Sequence, residues 1–155
     1  MAELVPGAAA PDFTLPRDGG GTISLSALRG RPVVLFFYPK DDTEACTTEA
    51  KDFTAAKADF EAAGVALVGL SPDPVKKHDK FVKKHELDVP LASDEGLETL
   101  QAYGVWKEKS MYGRTYMGVE RTTVLVDAEG KIAEIWPKVK VKDHVAAVLD
   151  AARKL

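Results

Sequence analysis

Cysteine is almost missing from this chain: Cys46 is the only one among 155 residues. That count excludes a disulfide within the chain and any metal site built from several cysteines. If Cys46 does redox chemistry, its partner thiol must come from another molecule. Long apolar runs are missing too, and none approaches the ~20 residues that span a bilayer. The start, Met1-Ala2-Glu3-Leu4-Val5-Pro6, has no basic segment followed by an apolar one. A signal peptide is therefore not expected, and a cytoplasmic location is. An excess of basic residues is also lacking: 21 Lys and Arg stand against 24 Asp and Glu, for a net charge of -3. That balance argues against nucleic acid as the main partner. Histidine occurs only at positions 78, 85 and 144, with no clustered ligand spacing, so no metal and no cofactor are expected. His78 and His85 fall on a charged segment and are read as solvated. The glycines at 19–21 are not followed by Lys-Ser/Thr and do not make a phosphate loop.

What is present reads as one α/β domain over residues 1–155. An arm rich in proline and alanine becomes ordered near Phe13. Phe13–Leu15 and Thr22–Ser24 form a small hairpin about the glycines at 19–21. Pro32–Tyr38 is continuously apolar, the pattern of a strand covered on both faces. A helix follows Thr43, with Phe53, Ala56, Phe60 and Ala63 on its core face and Gly64 at its end. Val65–Leu70 is a second buried strand. Val75–Glu86 is a mostly exposed helix anchored by Phe81 and Val82. Ser93 or Asp94 caps a helix over Leu97–Tyr103. Trp106–Gly118 has no clean period and is expected as a loop or irregular edge strand, its aromatic and methionine side chains packed along that edge or walling a pocket or interface. Thr122–Val126 and Lys131–Trp136 form an antiparallel pair across an Asp127–Gly130 turn. Val141, Val145, Val148, Leu149 and Ala152 stripe the last helix. The sheet is mixed, because parallel pairs need helical crossovers and the late hairpin is antiparallel.

The segment Pro39-Lys40-Asp41-Asp42-Thr43-Glu44-Ala45-Cys46 delivers the only thiol to the first turn of a helix, straight after a buried strand. Thr43 is a suitable N-cap. Unpaired N–H groups and the helix dipole at that end favour a negative sulfur, and the thiolate is the nucleophilic form. The plain alternative is a buried cysteine serving as a small apolar side chain. Sites in open α/β sheets collect at strand ends of this kind.

Pro39-x-x-x-Thr43-x-x-Cys46 resembles the active-site pattern of the peroxiredoxins. Phe36-Phe37-Tyr38-Pro39-Lys40, Thr47-x-Glu49-Ala50, Tyr103-Gly104-Val105-Trp106 and Lys109-Ser110-Met111-Tyr112-Gly113 are similar to the bacterioferritin-comigratory-protein (PrxQ) branch. Arg121-Thr122-Thr123-Val124-Leu125-Val126-Asp127 resembles that family's arginine at the head of a late strand. The likeness runs from about Pro11 to the C-terminus. It implies a thioredoxin-like fold and thiol-dependent reduction of hydrogen peroxide and organic hydroperoxides. By position, Cys46 would be the peroxidatic nucleophile, passing through a sulfenic acid. Thr43 would hydrogen-bond the peroxide, Arg121 would stabilise thiolate and developing charge, Pro39 would shield the sulfur, and Glu49 would hold Arg121.

The chain departs from the pattern at two places. Many members of the branch carry a resolving cysteine five residues after the first, where this chain has Lys51. The resemblance is therefore to a one-cysteine member, recycled by thioredoxin, a glutaredoxin or a small thiol. Glu44-Ala45 stands where Pro-Gly is common. A monomer, or at most a weak dimer, is expected. The other reading is a peroxide-sensing module without efficient turnover. A dithiol oxidoreductase is nearly excluded, because Thr43 occupies the first position of the C-x-x-C pair such an enzyme needs.

Overall fold

A computed structural model describes residues 4–155, so the first three residues of the expected arm lie outside the described residues. In chain order the elements are β1 (Thr14–Pro16), β2 (Thr22–Ser24), a 3-10 turn (Ser26–Leu28), β3 (Val33–Phe37), α1 (Glu44–Ala62), β4 (Ala66–Ser71), α2 (Val75–His85), β5 (Leu91–Ser93), α3 (Glu98–Ala102), β6 (Trp106–Met111), β7 (Arg114–Val119), β8 (Thr122–Val126), β9 (Ile132–Trp136) and α4 (His144–Arg153). Five strands make the central sheet in the order β5-β4-β3-β8-β9. β3, β4 and β5 are parallel; β8 runs antiparallel to β3, and β9 antiparallel to β8. This is the expected thioredoxin-like α/β fold with a mixed sheet, helices and an N-terminal hairpin.

Every residue of β3 is buried, because layers cover both of its faces. Val34, Phe36 and Tyr38 point to the side of α1, α2 and α4, where they meet Cys46, Phe53, Phe60, Phe81, Val145 and Val148. Val33, Leu35 and Phe37 point to the other side, against Phe13, Leu25, Leu100, Tyr103 and Val105. Phe36 stacks on Phe53 with ring centroids 4.5 Å apart, which fixes α1 against the centre of the sheet.

Gly69 in β4 makes room for that stack. A Cβ there would lie 2.6 Å from Phe36 Cζ and 2.8 Å from Leu91 Cδ2. Both neighbours belong to the buried core and cannot swing away. Gly69→Ala is expected to destabilise the fold by about 2–3 kcal/mol, the upper part of the range of core overpacking. A urea melt measures it, and a midpoint equal to wild type would show that the core yields there.

Three expectations are corrected. Order begins before Phe13: the Gly7 N–H donates to the Ile132 carbonyl at 2.8 Å and the Ala10 N–H to the Gly130 carbonyl at 2.9 Å, so the arm pairs with the chain entering β9. Trp106–Gly118 is neither a loop nor an irregular edge. It is a regular hairpin, registered from Trp106↔Val119 to Met111↔Arg114, separate from the central sheet. Tyr112 and Gly113 both take positive φ (53° and 75°), as a two-residue hairpin turn requires. Of its large side chains Met111, Tyr112, Tyr116 and Met117 are exposed rather than packed on an edge. His78 is fully buried and not solvated; of the two expected anchors, Phe81 is fully buried and Val82 is half-buried against the same core.

Candidate active site

Sheet pairing explains why two segments 75 residues apart meet. β3 and β8 pair antiparallel with Phe37 opposite Thr122. The residue before β8 therefore comes level with the chain that leaves β3. That residue is Arg121, whose carbonyl is held by the Val139 N–H at 2.9 Å. From there its guanidinium reaches back over the start of α1. Nη2 donates to Cys46 Sγ at 3.1 Å, and Nη1 donates to Glu49 Oε1 at 2.8 Å. Cys46 and Glu49 lie one helical turn apart, and one planar fork engages both.

The helix start is not closed by a side-chain cap. Thr43 is the N-cap by its backbone (φ -88°, ψ 157°), yet its side chain makes no capping bond. Its hydroxyl donates instead to the Lys40 carbonyl at 2.9 Å, which leaves the oxygen as an acceptor. The first-turn N–H groups of α1 have no carbonyl of their own helix to pair with. Cys46 is 2% exposed, Thr43 is exposed and Pro39 is half-buried. Glu44 and Ala45 are both exposed. The structure thus brings together Cys46, Arg121 and Glu49 by direct contact, with Thr43 and Pro39 on the loop that carries them.

The AhpC/TSA family model matches residues 6–135. Peroxiredoxin Bcp of Bacillus subtilis is 45% identical over 149 residues, covering 96% of this chain and 95% of the relative. The chain belongs to the peroxiredoxins, in their Bcp (PrxQ) branch. A solved structure of Xanthomonas campestris peroxiredoxin Q, 43% identical, superposes with a TM-score of 0.90 over 97% of this chain and 96% of that one. Another, of the Xanthomonas campestris bacterioferritin comigratory protein, has a TM-score of 0.90 at 42% identity over 99% of this chain and 98% of that one. It bears on that protein's alkyl peroxide reduction activity. As a peroxiredoxin, the protein is a thiol-dependent peroxidase, with a peroxide as substrate and a thiol as reductant. Its lone cysteine is free and buried.

Burial dominates the electrostatics of this peroxiredoxin site. It raises Glu49 from 4.5 to about 7, against the pull of Arg121 and with a small push from Asp52. Glu49 Oε2 has no partner, so half of this carboxyl is buried unsatisfied. Burial also works against the charge of Arg121, but Glu49 and Cys46 outweigh it and hold its proton more firmly than usual. Burial, with Arg121 adding, lowers His144 to about 4. Its Nε2 is hydrogen-bonded with the Thr123 hydroxyl at 2.7 Å. Lys109 on β6 is lowered by burial and by Arg121, while Cys46 and Glu120 oppose the shift.

Glu49 gives a signed pH prediction. An unfolded glutamate titrates near 4.5 and the folded one near 7. Between those values the folded chain binds the extra proton, so this group favours folding below 4.5, and the contribution is lost as pH rises through 7. Glu49→Gln removes the titration and keeps an oxygen for Arg121. The difference between wild-type and variant stability is expected to change by on the order of 3 kcal/mol at most across that window. Urea midpoints from about pH 4 to pH 8 measure it, and parallel curves would show that Glu49 does not titrate there.

Sequence reasoning missed three polar neighbours of the site: His78, His144 and Lys109. His78 had a signal, since 78, 81, 82 and 85 fall on one helical face with Phe81. Lys109 lay in a quoted family segment but received no role. His144 sits one residue before the Val145 stripe, and only the fold reveals its Thr123 partner.

Proposed function

We propose that Cys46 is the peroxidatic nucleophile and that Arg121, Glu49, Thr43 and Pro39 serve it. The observation that carries this reading is the Arg121 fork, 3.1 Å from Cys46 Sγ and 2.8 Å from Glu49 Oε1. A guanidinium at that distance favours the thiolate. The thiolate attacks the hydroxyl oxygen of the peroxide; an S–O bond forms as the O–O bond breaks, the departing oxygen takes that hydroxyl's proton and leaves as water or alcohol, and solvent protonates the sulfenate to the sulfenic acid. Arg121 faces the charge that moves from sulfur to oxygen, Thr43 accepts a peroxide hydrogen, Pro39 limits water and Glu49 holds the guanidinium. Hydrogen peroxide and organic hydroperoxides are the proposed substrates, supported by the alkyl peroxide activity of the Xanthomonas campestris relative.

With one cysteine, the sulfenic acid on Cys46 passes to an external thiol. That thiol's sulfur bonds to Cys46, the hydroxyl leaves as water, and a second thiol releases Cys46 with formation of a disulfide. Thioredoxin, a glutaredoxin or a small thiol fills this role. The reading takes residues 1–155 as one domain acting as a monomer in the cytoplasm.

Mass measurement after limited hydrogen peroxide tests it. One added oxygen on the wild type, none on Cys46→Ser, and its removal by a thiol are expected. An added oxygen retained by Cys46→Ser would overturn the assignment. A sulfur that oxidises once and turns over with no thiol would favour the sensing module, a reading to which the burial of Cys46 lends some weight.

A further inference from the structure

A buried polar network ties the segment before Cys46 to α2. The Tyr38 hydroxyl donates to Asp41 Oδ1 at 2.6 Å. Asp41 Oδ2 lies 2.6 Å from His78 Nδ1, and His78 Nε2 lies 3.1 Å from the Ala92 carbonyl. A carbonyl only accepts, so Nε2 carries a proton, and the contact with Asp41 needs a second one, shared by the buried pair. The backbone of Asp41 is held as well: its N–H donates to Asp73 Oδ2 at 2.7 Å, an oxygen that also takes the Ser71 hydroxyl proton at 2.8 Å. The next residue, Asp42, stands at φ 63° and takes Lys84 at 2.7 Å and His85 at 2.8 Å from the same helix.

None of these contacts is made to the sulfur. Together they fix Lys40 to Thr43, and with them the cap position and the first turn of α1. Buried polar groups are costly unless every partner is placed, so such a network specifies one arrangement of the chain it holds. In that arrangement Cys46 is 2% exposed. Hydrogen peroxide has two heavy atoms and needs little room at the sulfur. A thiol that must bring its own sulfur to Cys46 needs the segment to move. The tethers that favour the first reaction therefore oppose the second.

Resting on the peroxidase reading, we propose that Asp41, clamped between Tyr38 and His78, is a positioning residue that sets the balance between the two half-reactions. It holds Thr43 and Cys46 in place for peroxide and restrains the opening that admits the reducing thiol.

Two rate constants test this on the full chain: oxidation of Cys46 by hydrogen peroxide, and reduction of the preformed sulfenic acid by 2-mercaptoethanol. Asp41→Ala is expected to lower the first about 10-fold and raise the second about 3-fold, the scale of one lost buried hydrogen-bonding group. Asp41→Asn, whose amide accepts from Tyr38 and donates to His78, restores both. Asp42→Asn tolerates the same backbone, loses the Lys84 and His85 ion pairs, and is expected to show the same split at about 2-fold. It decides the matter if Asp41→Ala does not fold. Two constants that fall together, or do not move, in a folded variant overturn the proposal, as does a split that Asp41→Asn fails to rescue. A wild type inert to peroxide overturns the peroxidase reading itself.

Discussion

Arg121→Met is expected to lower the second-order rate constant with hydrogen peroxide by roughly 10³-fold, the upper end of what one electrostatic group contributes at a preorganised site. The guanidinium makes two contacts that no other residue replaces, 3.1 Å to Cys46 Sγ and 2.8 Å to Glu49 Oε1. Methionine fills much of the volume, so packing survives. Glu49 then loses its cation, and burial already raises it to about 7. It takes up a proton rather than remaining a buried unpaired charge, which spares the fold. Alkylation of Cys46 by iodoacetamide separates two roles of the arginine. It reports thiolate population without charge building on a peroxide oxygen, so it is expected to fall far less than the peroxide rate. Equal losses would assign Arg121 to the thiolate alone. Arg121→Lys keeps a charge but not the fork, and is expected to recover only part of the loss. Wild-type peroxide rates in Arg121→Met would remove the residue from the mechanism.

The Arg121–Cys46 pairing was legible because each half is written locally. Val33–Phe37 is apolar at every position, Pro39 closes it and a helix begins at Thr43, all within short range. Thr122–Val126 is equally plain. Only the pairing of Phe37 with Thr122 was missing from the sequence, and the resemblance supplied its consequence. The less legible parts share a physical cause: their stability is not carried by a buried apolar face. β6 and β7 are mostly exposed on both sides, so no alternation marks them, and six backbone pairs hold them instead. Gly7 to Ala10 bind the chain entering β9 through backbone groups, which small side chains do not advertise. His78 owes its burial to Asp41, 37 residues earlier, and a polar residue on a lysine-rich helix gives no sign of such a partner. Thr43 is the cap position that the sequence indicates, but only the fold shows its hydroxyl donating to the Lys40 carbonyl.

That contact makes Thr43→Val the sharper test of how peroxide is held. The hydroxyl proton is spent on the Lys40 carbonyl, which leaves the oxygen free to accept from a peroxide O–H. Valine keeps the β-branched shape and suits the extended backbone at this position. No side-chain capping bond is lost, because none is made. The Lys40 carbonyl is exposed enough to take water instead. Stability is therefore expected to change by less than about 0.5 kcal/mol, the scale of a surface substitution. The rate with hydrogen peroxide is expected to fall about 10²-fold, with alkylation of Cys46 nearly unchanged. Thr43→Ser keeps the oxygen and is expected to stay within about 3-fold of wild type. A Val variant as fast as the Ser variant would mean that the hydroxyl only shapes the loop, and that peroxide is oriented by Arg121 and the first-turn N–H groups alone.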